Sequence, residues 1–222
     1  MTQTAVLVSG QNLGRVFESP EGTFVALSNL SVEVRAHQMV ALTGRSGCGK
    51  TTALNLLSGQ LEPTSGSVSI CGQELSDVRP EKRTELRRKL VGRIYQQFEL
   101  FEELTPLENV RIALELRGQD STAALERASI ELDRVGLLHR LNTVCSRLSG
   151  GEQQRTAIAR ALACDPRILI ADEPTGNLDQ ANALSVIQAF REAADRGLAV
   201  IVATHDPLFE GVADSIVAVS NS

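Results

Sequence analysis

Hydrophobic and polar positions along the chain divide it into three regions. Near the start, residues 4–8 and 23–34 read as β-rich, with Ser19–Gly22 as the turn between them. Met39–Thr43 (MVALT) is a short apolar run that predicts a buried strand, and it passes straight into Gly44. After it, Ala53, Leu54 and Leu57 share one helical face, and Gly59 supplies a stop. Gly66–Leu75 predicts a hairpin, and Arg79–Lys89 a mixed-charge helix with a solvated face. From about residue 100 to 165 the apolar period becomes helical, through Pro106–Gly118, Thr122–Gly136 and Glu152–Ala163. Strand signals return at Arg167–Ala171 and Leu198–Ala203, the second preceded by a helical stretch. Strand, glycine-rich turn and helix, then a helical block, then strands alternating with helix: this order predicts an α/β fold with a parallel sheet and an all-α insertion.

Composition narrows the picture. The chain has 222 residues, 42% of them apolar, enough for one packed domain. Its net charge of -5, with no long run of one sign, argues against nucleic acid as the ligand, which calls for a basic stripe. Cys48, Cys71, Cys145 and Cys164 show neither CxxC nor zinc spacing and read as free thiols in a reducing compartment. The first residues lack a basic region followed by an apolar stretch, so no signal peptide is expected. No segment approaches the length of an apolar membrane span, so any membrane role must come through a partner.

Four clusters carry chemistry. Gly44–Thr51 (GRSGCGKT) fits G-x-x-x-x-G-K-[ST] after a predicted buried strand and at the start of a helix. Gly44, Gly47 and Gly49 let backbone N–H groups converge on phosphate oxygens, with Arg45, Ser46 and Cys48 contributing through the backbone. The helix that opens at Lys50, Thr51 and Thr52 adds its positive end. Lys50 offers a mobile cation to the β and γ phosphates, and the Thr51 hydroxyl a hard oxygen for Mg²⁺. Asp172 and Glu173 end an apolar strand; the first is placed for Mg²⁺, and the second for attacking water. A second strand ends in Thr204, His205 and Asp206, where position alone leaves His205 open to a structural or a γ-phosphate role. Finally, Leu148–Arg155 (LSGGEQQR) reads as an S-x-x-E capping box, Ser149 with Glu152. The cap does not require Gly150 and Gly151, which at a positive helix end read as a second anion site.

These motifs, with GNLD (Gly176–Asp179), in this order and over nearly the whole chain, resemble the nucleotide-binding domain of ABC transporters. The resemblance implies a P-loop NTPase, RecA-like core with an N-terminal antiparallel β subdomain. Residues 1–95 and 165–222 would form core and β subdomain, and 96–164 the helical subdomain with the signature, in a single domain. It implies ATP and Mg²⁺ as ligands, with Gln96, more than its neighbour Gln97, reaching the metal or the lytic water. Phe17 would stack on adenine, although a plain core role fits it too; Asp179 would face the partner subunit and His205 act as the switch histidine. With Glu173 present, hydrolysis is expected. The family pairs two copies head to tail, so that Ser149, Gly150, Gly151 and Glu152 of one complete the cradle of the other. It docks them on integral membrane permease subunits, at the cytoplasmic face of the membrane. The stretch from Phe98 to Val110 is where such docking is expected. The segments 92–110 and 172–179 look most like the subgroup of lipoprotein release, macrolide export and cell-division signalling. A soluble ABC-type ATPase, such as an iron–sulfur assembly scaffold, and an amino-acid importer ATPase are the alternatives.

Overall fold

A computed structural model describes residues 4–20 and 22–220. In chain order they form β1 (Val6–Ser19), β2 (Gly22–Arg35), β3 (Met39–Thr43), α1 (Lys50–Leu57), β4 (Ser65–Ile70), β5 (Gln73–Glu74), α2 (Pro80–Leu90) and β6 (Val91–Ile94). There follow α3 (Pro106–Glu115), α4 (Ser121–Arg134), α5 (Gly150–Ala163), β7 (Ile168–Asp172), α6 (Gln180–Asp195), β8 (Ala199–Ala203) and β9 (Ser215–Ala218).

The strands build two sheets. One is antiparallel with order β2-β1-β4-β5; the other is parallel with order β6-β7-β8-β3-β9. In the parallel sheet both faces are covered, so β3, β7 and β8 read as continuous apolar runs while their side chains still alternate between two cores. Val40, Leu42, Ile168, Ile170, Ala199 and Ile201 face a core shared with α1 and the antiparallel sheet. Met39, Ala41, Leu169, Ala171, Val200 and Val202 face α5 and α6. A third core joins α3, α4 and α5 through Val110, Leu114, Ala124, Ala128, Leu132, Ala159 and Ala163. Helix α5 therefore serves two cores, with Ala157, Ile158, Ala161 and Leu162 on the sheet and Ala159 and Ala163 on the helical insertion.

The predicted strands and helices occur in the predicted order, but the parallel sheet has two further strands, β6 and β9, that the sequence pattern leaves unassigned. The long hairpin differs: β1 runs unbroken through residues 9–18, which the sequence pattern leaves unassigned. Register shifts between Gly10 and Leu13 and again between Leu13, Arg15 and Val16 break the alternation of apolar positions there. Its turn includes Glu21, which lies outside the described residues.

Candidate active site

In a parallel sheet the carboxyl ends of the strands share one edge, and ligands bind there. Here β3 delivers Gly44, β6 leads to Gln96, β7 ends at Asp172 and Glu173, and β8 leads to His205. These residues line one cleft of about 660 Å³, together with residues 44–47 and 49–52, Gly176, Phe24 and Ala26.

The cradle is shaped by positive φ at Gly47 (78°) and Gly49 (97°). A side chain at Gly49 would place its Cβ 2.2 Å from the Ala26 carbonyl oxygen, so the β2 backbone requires glycine here as strongly as the turn does. Helix α1 begins at Lys50 without a side-chain cap, whereas Thr105, Asp120, Ser149 and Asp179 cap α3, α4, α5 and α6. Its first N–H groups have no intrahelical acceptor, and they open on the cleft. Cys48 departs from expectation: its N–H donates to the Arg45 carbonyl at 3.2 Å, its side chain is buried under Gly44, and it does not line the cleft.

Lys50 is nearly buried and anchored at both ends of its reach. Its Nζ donates to Gly44 O at 2.9 Å and Arg45 O at 3.3 Å, and lies 3.4 Å from Glu173 Oε1. The other carboxylate oxygen, Oε2, accepts from His205 Nδ1 at 2.8 Å. Nδ1 carries the proton in that contact, which leaves Nε2 to face outward. Glu173 itself sits at φ 44°, an uncommon conformation for a side-chain-bearing residue, and its N–H is held by Ala203 O at 2.8 Å. Beneath it, Thr175 Oγ1 donates to Asp206 Oδ2 at 2.8 Å, tying the turn after β7 to the turn after β8. Asp172 is 6% exposed, and its Oδ1 has no hydrogen-bond partner. A buried carboxylate oxygen without a donor is costly unless a cation completes it, and the Thr51 hydroxyl opens on the same cleft. The donor set therefore fits Mg²⁺.

Phe17 and Asp179 lie outside the cleft, the second as expected of a residue facing a partner subunit. Phe17 does not line the cleft; it stands opposite Phe24 in the β1–β2 ladder, on the same face, with the Arg15 guanidinium 4.6 Å from its ring centre. Phe24, 58% exposed, is the aromatic that does line the cleft. Sequence reading missed it because residue 24 counts as an ordinary strand position until the hairpin register is known. Asp179 caps α6, its Oδ1 accepting from Asn182 N at 2.8 Å, and it too lies outside the cleft.

The second glycine-rich turn opens α5. Its capping box is complete: Ser149 Oγ accepts from Glu152 N at 3.3 Å, and Glu152 Oε2 accepts from Ser149 N at 2.8 Å. The two glycines differ. Gly150 is exposed and meets nothing closer than 3.8 Å, whereas a Cβ at Gly151 would fall 2.5 Å from Asn182 Oδ1 of α6. Packing against α6 thus leaves little room for a side chain at residue 151, whereas at residue 150 nothing in the single chain crowds one. Ser149 and Gly150 are exposed and absent from the cleft lining.

Sequence reasoning also missed Asn109. Fully buried at α3, it accepts from Phe101 N at 2.9 Å and donates to Phe101 O at 3.0 Å and Thr105 O at 3.1 Å. It fixes the loop that follows Gln96. Arg160 of α5 grips the same loop at Phe98 O, 2.8 Å away, where Phe98 and Glu99 take positive φ.

Comparison with known proteins agrees with this geometry. A family model described as ABC transporter matches residues 27–176. The lipoprotein-releasing system ATP-binding protein LolD of Pseudomonas syringae pv. tomato (strain ATCC BAA-871 / DC3000) is 44% identical over 93% of this chain and 91% of its own. The macrolide export ATP-binding/permease protein MacB of Salmonella choleraesuis (strain SC-B67) is 38% identical over 94% of this chain, which covers 32% of that protein. The dimeric, post-hydrolysis structure of the ATP-binding cassette MJ0796 bound to ADP and Pi superposes with a TM-score of 0.89 at 32% identity, covering 97% of this chain and 95% of that one. The cradle, the paired acids and the signature turn thus stand in a chain that belongs to the ABC transporter family, as one of its ATP-binding, ATP-hydrolysing cassettes.

Proposed function

We propose that two copies of this chain close head to tail on two ATP molecules, hydrolyse them, and so drive a separate integral membrane permease. One observation carries the reading: of two glycine-bearing helix N-termini, only that of α1 opens on the cleft, while Ser149 and Gly150 face solvent elsewhere. The chain does not complete its own cleft, and a second copy supplies what it lacks.

In this reading the first-turn N–H groups of α1 and the Lys50 ammonium hold the β and γ phosphates. Thr51 and Asp172, with Gln96, would hold Mg²⁺, which neutralises phosphate charge when bound. Glu173 accepts the proton of the attacking water, and His205, whose Nδ1–H rests on Glu173 Oε2 in the single chain, donates a ring N–H to the γ-phosphate once it leaves that oxygen. Phe24, with Phe17 on the same face of the hairpin, offers an aromatic surface to adenine. Ser149 and Gly150 of the second copy stabilise the far side of the γ-phosphate, and Asp179, at the α6 cap, faces that copy.

The permease is reached through the loop after Gln96. Beside it lies a groove of about 430 Å³ lined by Arg87, Arg88, Arg93, Arg117 and Arg160, with Glu99 as its carboxylate. The five guanidiniums donate to neutral groups: Gly59 O, Leu116 O, Asn55 Oδ1, Cys164 O and Phe98 O. Among the described residues none of them forms an ion pair. Such a groove suits an acidic cytoplasmic segment of the permease. Among the described residues no helix is long and apolar enough to cross a membrane, and the chain would sit at the cytoplasmic face through that partner. Likeness to LolD and MacB favours the subgroup of lipoprotein release and macrolide export over amino-acid import or a soluble ATPase.

Glu173→Gln tests the chemistry. It should abolish turnover, keep ATP binding and trap an ATP-dependent dimer in sedimentation; normal turnover would remove Glu173 from the mechanism.

A further inference from the structure

The signature turn carries a negative charge, Glu152, in the first turn of α5. Glu152 is 8% exposed, and its Oε2 accepts both the Ser149 N–H, at 2.8 Å, and the Ser149 hydroxyl, at 3.0 Å. Serine has one hydroxyl proton. While Glu152 holds it, Ser149 cannot donate it to a phosphate. An ionised carboxylate within the first helical turn also repels a polyanion and offsets the positive helix end. Opposing this charge is Arg140, whose Nε donates to Glu152 Oε1 at 2.7 Å. His139 Nε2 lies 3.7 Å from the same oxygen. Arg140 reaches in from a short helical turn, Leu138–Arg140, outside the α5 helix.

The cap does not need this arginine. Ser149 and Glu152 satisfy each other reciprocally, and S-x-x-Q caps a helix as S-x-x-E does. The Arg140 side chain is 44% exposed, and an ion pair so placed adds little to stability. Its geometry instead matches an electrostatic task.

We propose that Arg140 is a positioning residue for ATP hydrolysis: by neutralising Glu152 it keeps the α5 N-terminus attractive to the γ-phosphate bound by the other copy and lets the Ser149 hydroxyl turn from carboxylate to phosphate. The proposal rests on the reading of Ser149–Gly150 as the second half-site. The acidity of Glu152 agrees with it. Burial alone would raise its carboxyl pKa, but the Ser149 N–H, Arg140 and the Ser149 hydroxyl together bring it down to about 2, well below that of a terminal phosphate.

The test is charge rescue. In the Glu173→Gln background, Arg140→Gln should raise the ATP concentration for half-maximal dimerisation about tenfold, and in the parent enzyme it should lower kcat by a similar factor. Adding Glu152→Gln removes the charge that Arg140 answers, and should restore both to within about twofold. Arg140→Lys should retain most of the activity, and binding of a fluorescent ATP analogue to the single chain should stay unchanged. Melting temperatures of the variants distinguish a folding defect. Parent-like behaviour of Arg140→Gln, or a loss that Glu152→Gln leaves unrepaired at equal melting temperature, would overturn the proposal. Normal dimerisation of Ser149→Arg would instead remove the half-site reading beneath it.

Discussion

Glu152 completes the α5 capping box and meets Arg140 through its other oxygen. In the native chain its carboxyl titrates at about 2, whereas an unfolded glutamate titrates near ~4.3. A depressed native pKa means that the ionised form stabilises the fold; the contribution is full above the unfolded value and is lost as pH falls towards about 2. The urea midpoint of the parent should therefore exceed that of Glu152→Gln by most near neutral pH, with the gap narrowing steadily between pH 5 and pH 3. A gap that stays constant over that range would show that the charge of Glu152 adds nothing to the capping bonds. At this scale the sequence showed much of the site, because the phosphate cradle, the Asp172–Glu173 pair and the Ser149–Glu152 box are each defined by neighbours within a few positions. It could not show that a side chain at residue 151 would meet Asn182, which is distant in sequence and close only once α6 packs on α5. Nor could it show that Phe24 rather than Phe17 lines the cleft, because the shifted register of the β1–β2 hairpin decides which ring reaches the edge.

Helix α5 is the element that touches most of the parts. Its N-terminus carries Ser149, its two faces serve two cores, and Arg160 in its last turns grips the loop after Gln96. Under the proposed function, a displacement of that loop would act on the helix that carries Ser149. The adjoining groove is where such a displacement would originate. Burial lowers the pKa of Arg93 and of Arg160, a sign that both cations sit where charge is disfavoured, and the nearby Glu99 only partly offsets this. An acidic segment seated there would supply the missing carboxylates. Arg88→Glu with Arg117→Glu should leave the basal ATPase of the isolated chain unchanged, yet abolish its recovery on membranes in a pull-down with the Glu173→Gln form. Undiminished recovery would exclude the groove as the docking surface. The apolar residues of the Phe98–Val110 stretch, by contrast, are divided: Phe98 and Leu100 pack against the core shared by α5 and α6, and Phe101 is 53% exposed. The helical period marked α3 but could not mark this loop, whose shape depends on Asn109 and Arg160 reaching it from other elements.

At the scale of the whole molecule, the Ser149–Gly150 turn does not line the cleft of its own chain, and the proposed function turns this into an assembly-level prediction that no single-chain variant can test. In a head-to-tail dimer each ATP lies between the cradle of one copy and the signature of the other. Lys50→Ala spoils every cradle in its own dimers, and Ser149→Arg spoils every signature in its own, so each variant alone should be inactive. Mixed, they form heterodimers in which one site joins both defects, while the other joins the sound cradle of the Ser149→Arg chain to the sound signature of the Lys50→Ala chain. With random pairing at equal amounts, half of the dimers are mixed, and each has one intact site of two. If the sites turn over independently, the mixture should regain about a quarter of the parent activity. If both sites must close for turnover it regains less, but the mixture still binds ATP in dimers that Ser149→Arg alone does not form. Neither variant can gain from the other if a chain completes its own site, because every chain in the mixture then carries a defect. ATPase measured across mixing ratios, with a maximum at equal proportions, would establish the shared site; activity that never rises above the sum of the separate variants would return Ser149 to a purely structural cap.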